Sequence, residues 1–259
     1  MRYVPPNLGD SAENSAGITS WKTKAKDVAI VCSCLAVLYL AFGFVAERLA
    51  AFLPASWESR LSFAATPPNP SDPAYEAYKN TLHILETLTS TDALRELPYT
   101  LFLMETEQPN AFAIPGGGVG VTSGLLEKVT SEAGRAMVLA HELGHHQHRH
   151  TLKRLGRALV YQTAMALLFG QSANPFAEVS VAMAELRYSR EQEREADEFG
   201  LRLVKKALGS TAGTLEFFEM VERENLGLNE RWQALFSSHP ITKDRIVYLR
   251  ELSHNLDKK

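Results

Sequence analysis

The sequence predicts a mainly α fold with a small β-sheet (α+β), carried behind one N-terminal transmembrane helix. Three observations predict it. Residues 28–46, VAIVCSCLAVLYLAFGFVA, hold no charge. Two short alternating runs flank a glycine-rich turn at 115–118, as in a strand pair. Beyond residue 130 the apolar residues recur at helical spacing.

The charge-free run comes first. Nineteen residues rising as a helix reach about 28 Å, close to the hydrocarbon thickness of a bilayer. A core helix of a soluble domain would show a polar stripe, and this run has none. A cleaved signal peptide fits less well, because the polar leader is long and no A-x-A site follows. The run is therefore expected to be an uncleaved signal anchor. Lys22, Lys24 and Lys26 precede it, while only Arg48 and Arg60 follow closely. The positive-inside rule then makes 1–27 a cytoplasmic tail and sends everything after 46 across the membrane. The expected location is an inner (cytoplasmic) membrane, single-pass, with the larger domain on its periplasmic, extracytoplasmic side. Cys32 and Cys34 both lie inside the span, so the exported part uses neither disulfides nor a catalytic thiol. A net charge of −3 gives no basic footprint for nucleic acid.

Residues 47–73 read as an interfacial segment and a linker. ERLAAFLPASWESRLSF suggests a helix and turn near the headgroups, and ATPPNPSDP (65–73) has four prolines in nine residues. The domain at 74–259 should open with a helix over 74–88 and a strand over 99–105. Strands at 110–114 and 119–122 follow, joined by Pro115-Gly116-Gly117-Gly118. Glycines at 116–118 and 120 leave the second strand poor in side chains, an edge that invites another backbone to pair. RALVYQTAMALLFG (157–170) is short for a span and reads as a core helix or a membrane-dipping flap.

The chemistry centres on VLAHELGHHQHRH (138–150), expected to be one helix capped by Ser131. His141 and His145 stand at i and i+4, with Cβ atoms about 5–6 Å apart on one face. Two imidazoles so placed can close on one tetrahedral Zn²⁺, and Glu142 can take a proton from the water activated there. Such a site needs a third protein ligand. No histidine occurs between His150 and His239, which leaves Glu191, Glu193, Glu195 and Asp197 of SREQEREADEFG (189–200). Ser189 and Gln192 suit a capping box at the start of a helix there. Glu193 and Asp197 share a face, so one can bind metal while the other holds a ligating histidine's second nitrogen. Glu191 and Glu195 are expected to point away. Taken alone, this run would be an ordinary solvated charged face. His146, His148 and His150 are expected to be dispensable for the metal, and His83 and His254 have no evident partner.

Together, HELGH, the downstream E-x-x-A-D from Glu193 to Asp197, and NAFAIPGGGVGVTSGLL resemble the HtpX / CaaX-prenyl-protease family of membrane-associated zinc metallopeptidases, which are gluzincins. SHPITKDR (238–245) resembles a further element of that family. The likeness covers roughly residues 75–252. With one span rather than several, the chain is nearer to the single-span or periplasmic BepA and LoiP type and to the mitochondrial stress protease. Its end at Lys259 favours the minimal LoiP-like form. The resemblance implies one Zn²⁺ per chain on His141, His145 and Glu193, with Glu142 as general base and Asp197 behind a ligand. It implies that Gly116, Gly117, Gly118, Val119, Gly120 and Val121 form a substrate-binding edge strand for an extended or unfolded polypeptide. It puts His239 and Arg245 near the zinc, His239 stabilising an oxyanion or blocking the open position, although a buried structural His-Pro turn fits the same residues. The expected activity is endoproteolysis of misfolded or misassembled envelope proteins. Two rivals are a chaperone or assembly factor that holds unfolded chains on the same strand, and a structural zinc protein closed by His239.

Overall fold

The computed structural model describes residues 21–62, 64–170, 187–224, 239–240 and 242–258. Most of the expected cytoplasmic tail, and Ser238 and Ile241 of the SHPITKDR element, lie outside the described residues. The chain divides into two compact units, one ending at Phe42 and the next beginning at Gly43. Helix α1 runs over Trp21–Phe52, and its stretch Trp21–Val45 is long and apolar enough to cross a membrane. Its apolar side chains, Val31, Val37 and Phe42 among them, are exposed.

The second unit is mainly helical with one small sheet. Pro54 begins the short helix α2 (Ala55–Glu58), as its fixed φ suits a helix start, and a 3₁₀ turn over Ser59–Leu61 follows. The proline-rich stretch has no helix or strand until α3 (Tyr75–Thr89). Three strands then form one sheet, β1 (Thr100–Met104), β2 (Ala111–Ile114) and β3 (Gly118–Thr122). The short α4 (Ser123–Lys128) leaves β3 directly, with Thr122 accepting a hydrogen bond from the Leu125 N–H. Helix α5 (Glu132–Gln147) is capped by Ser131, whose Oγ accepts from the Gly134 N–H. Next come α6 (His150–Phe169), α7 (Arg190–Leu208), α8 (Glu216–Glu224) and α9 (Lys243–Asp257). The segment 157–170 is thus the outer part of one helix, with Leu159 and Leu167 exposed.

Two expectations are corrected. The strand order is β1-β3-β2, so β3 is the centre of the sheet and not its edge. It pairs in parallel with β1, Leu101 opposite Val119, and antiparallel with β2, Phe112 opposite Gly120. Its glycines are filled from within the fold. A Cβ on Gly120 would lie 2.3 Å from the Phe112 ring, and one on Gly118 would lie 3.0 Å from Phe102. At Gly118 and Gly120 the space that a side chain would take is filled by neighbouring rings. Gly116 and Gly117 sit in the turn at φ of 95° and 100°, where glycine is at ease.

The second correction concerns the histidine-rich helix. It ends at Gln147, because Arg149 adopts a left-handed φ of 59° and α6 begins afresh at His150. This conformation is uncommon for a residue with a Cβ. Arg149 Nη1 donates to the Leu53 carbonyl, fixing the bend against the segment before α2.

The core gathers around α5, where Ala136, Met137, Leu139, Ala140 and Leu143 pack with Leu101, Val119 and Val121 of the sheet and Leu201 and Val204 of α7. Helices α5 and α7 meet through small residues. A Cβ on Gly144 would come within 2.8 Å of the Ala196 carbonyl, and one on Gly200 within 2.9 Å of the His141 nitrogen. That closeness lets short side chains of the two helices meet.

Candidate metal centre

Helix α5 turns His141, Glu142 and His145 inward, and all three are buried. Helix α7 starts from Ser189, where a complete capping box with Gln192 fixes its first turn. This sets Glu193 and Asp197, both buried, on the face toward α5. The segment before α9 contributes His239 and α9 itself Arg245, both buried.

Four ligand atoms converge on one point. His141 Nε2 lies 3.1 Å from His145 Nε2 and 3.2 Å from His239 Nδ1. Glu193 Oε1 lies 3.0 Å from His239 Nδ1 and 3.7 Å from His145 Nε2. Donor atoms from His141, His145, Glu193 and His239 all fall within 4.8 Å of one another. Ligands about 2.0–2.1 Å from a tetrahedral zinc stand about 3.3–3.4 Å apart, so these separations fit that ion. Imidazole nitrogens crowded against one another in a buried site can also turn their lone pairs onto one shared cation. Among the described residues, His239 Nε2 and Glu142 Oε2 are buried without a hydrogen-bond partner, and Glu142 Oε1 is 3.6 Å from His239 Nε2.

The support around this centre is ionic. Asp197 Oδ1 meets His141 Nδ1 at 2.9 Å, which leaves Nε2 as the free nitrogen toward the centre. Arg245 donates to both Asp197 oxygens, at 2.8 and 2.9 Å, and reaches Glu193 Oε2 at 2.7 Å. Burial alone would raise the Asp197 and Glu193 carboxyls. Arg245 and His141 hold Asp197 below the usual range, and His239, His141 and Arg245 do the same for Glu193. Burial, with His141, His239 and His150 nearby, pushes His145 well down and keeps its imidazole neutral.

His141, Glu142, His145, Glu193, Asp197, His239 and Arg245 are therefore brought together, while Gly118, Val119, Gly120 and Val121 lie in the central strand of the sheet and Gly116 and Gly117 in the turn before it. Spacing alone did not separate Glu193 from Asp197, but position does, Glu193 facing the histidine Nε2 atoms and Asp197 standing behind His141. His146 is structural, its Nε2 2.9 Å from the Gly118 carbonyl. Three residues were missed. His150, expected beyond the ligand pair, has Nδ1 3.0 Å from His145 Nδ1, and Glu195, expected to point away, meets His150 Nε2 at 2.9 Å. The bend at Arg149 brings His150 in, against Glu195 of α7. Tyr188 was missed too, and its ring stacks on His145 at 3.7 Å. Beside Glu142 and His141 opens an apolar pocket lined by Ala111, Leu125, Met137, Val138, Phe217 and Phe218.

Two histidines one helical turn apart, a glutamate between them and a carboxylate from a second helix define a metallopeptidase. The chain matches the model of peptidase family M48 over residues 80–253, and it belongs to that family. It is 30% identical over 174 residues to the mitochondrial metalloendopeptidase OMA1 of Schizosaccharomyces pombe, covering 65% of this chain and 50% of that protein. It is 30% identical over 194 residues to a putative beta-barrel assembly-enhancing protease of Vibrio cholerae, covering 70% and 40% respectively. With metalloprotease LoiP of Escherichia coli the identity is 28% over 149 residues, 55% of this chain and 58% of LoiP. The chain thus spans about half the length of the curated relatives it matches.

Proposed function

We propose that this chain is a membrane-anchored zinc endopeptidase, one Zn²⁺ per chain, acting on misfolded or misassembled envelope proteins. The observation that carries the reading is the meeting of His141, His145 and Glu193 at one point with Glu142 beside it. Zinc bound there supplies a Lewis acid that polarises a carbonyl and acidifies water. Glu142 accepts the proton of the attacking water and returns it to the departing amine. Asp197 and Arg245 hold His141 and Glu193 in place. The apolar pocket beside Glu142 seats a substrate side chain and excludes water. The extended substrate pairs with the edge of β2, the one of the two outer strands whose Ala111 lines that pocket, in place of the expected 116–121 strand. The relatives named as a beta-barrel assembly-enhancing protease and as OMA1 support an envelope or membrane setting.

His239 fills the fourth corner, with Nδ1 among the ligands. This favours a resting state in which the imidazole blocks the open position and leaves when substrate arrives. The test is cleavage of an unfolded protein such as casein by the full-length chain in detergent. Chelator should stop it, zinc should restore it, and Glu142→Gln should bind zinc yet cut at least about 10³-fold more slowly. Cleavage that survives Glu142→Gln would overturn the reading in favour of a chaperone preparation carrying another protease.

A further inference from the structure

His150 and Glu195 have no part in the reaction as described, yet they lie against it. Had α5 continued, residue 150 would stand five positions after His145, roughly 140° round the helix from it. Instead the left-handed Arg149 folds the chain back, and His150 is fully buried with Nδ1 3.0 Å from His145 Nδ1. Its other nitrogen meets Glu195 Oε2 at 2.9 Å, on a carboxylate that is 40% exposed.

Donor and acceptor roles follow from chemistry. A carboxylate only accepts, so His150 carries its proton on Nε2 and offers Nδ1 as an acceptor. His145 then donates its Nδ1–H to His150, and its Nε2 lone pair is left facing His141, Glu193 and His239. A proton on Nε2 instead would abolish His145 as a ligand.

We propose that His150 and Glu195 form a two-step relay that fixes the tautomer and ring plane of His145, making His150 a positioning residue for the metal. The inference rests on the zinc reading above. Asp197 gives His141 the same service directly, whereas His145 receives it through an intervening imidazole. Tyr188 holds the plane of the ring from its face, which the relay complements at its edge.

The test is zinc affinity of the full-length protein in detergent, by competition with a chromogenic chelator. His150→Leu keeps much of the volume and removes the acceptor, and should weaken zinc binding about 10–100-fold. His150→Asn puts an amide oxygen where Nδ1 stood and should stay within about threefold of wild type. Glu195→Ala, on the half-exposed end of the relay, should fold normally and weaken binding about tenfold. Equal affinity in wild type and Glu195→Ala, or equal losses in His150→Leu and His150→Asn, overturns the relay while leaving the zinc site standing. If His150→Leu does not fold, the Glu195→Ala and His150→Asn measurements decide. Wild-type protein that takes up no zinc overturns the zinc reading and this inference with it.

Discussion

Arg245 is the residue on which the buried charges depend. It is forked onto Asp197 and touches Glu193, and none of the three is solvated. Removing one partner of a buried ionic group leaves the others unpaired, at about 3–5 kcal/mol. Arg245→Met should therefore lower unfolding stability by about that much in a denaturant titration, and a loss under about 1 kcal/mol would contradict the arrangement. The buried histidines give a second expectation. Burial pushes His146 down to about 4 and His150 to about 2. In the unfolded chain both titrate near about 6.5, so the unfolded state takes up protons first as pH falls. Stability present above that value is lost on going from about 6.5 toward 4. The Tm of metal-free protein should drop between about pH 7 and pH 5, and a flat Tm over that range would count against neutral burial. At this scale the sequence was informative about His141, Glu142 and His145, whose spacing carries their geometry. It was silent on His150, because no pattern marks a left-handed arginine, and a helix drawn through Arg149 sends the imidazole elsewhere.

Among the elements, the contact of α5 with α7 matters most for the site. Ala140 and Gly144 on one helix face Ala196 and Gly200 on the other. These are small residues at i and i+4 in both helices, a signal legible in the sequence beside the histidines. Gly144→Ala would press a methyl group onto the Ala196 backbone. The expected result is a loss of about 1–3 kcal/mol together with weaker zinc binding, since Glu193 and Asp197 would move away from His141. Unchanged Tm and unchanged zinc affinity would show that the helices have room to spare. Strand order was the failure at this scale. Glycines at 116–118 and 120 suggested an edge, yet the same glycines suit a central strand whose space is taken by Phe102 and Phe112. Composition reports that space exists near a strand and is blind to who fills it.

For the whole molecule, fold class was readable because the apolar periodicity is long and strong, and a three-stranded sheet needs only short alternating runs. What couples the anchor-side segment to the domain was not readable. Glu58, fully buried, pairs with Arg95 at 2.6 Å, and Arg95 also holds the His146 carbonyl. Neither residue stood out by spacing. If the apolar run 28–46 within α1 crosses the membrane, with Lys22, Lys24 and Lys26 before it on the cytoplasmic side, the protein resists alkaline carbonate extraction. External protease on spheroplasts then removes the domain after residue 46, whereas protection of that domain would reverse the orientation.

The claim that joins these scales is that His141, His145 and Glu193 hold a zinc ion that Glu142 uses without holding it. The most direct measurement is metal content together with casein cleavage for the wild type, Glu142→Gln and Glu193→Gln, purified side by side. The account predicts one zinc per chain and cleavage in the wild type, zinc without cleavage in Glu142→Gln, and loss of both in Glu193→Gln. Full zinc occupancy and activity in Glu193→Gln would contradict it.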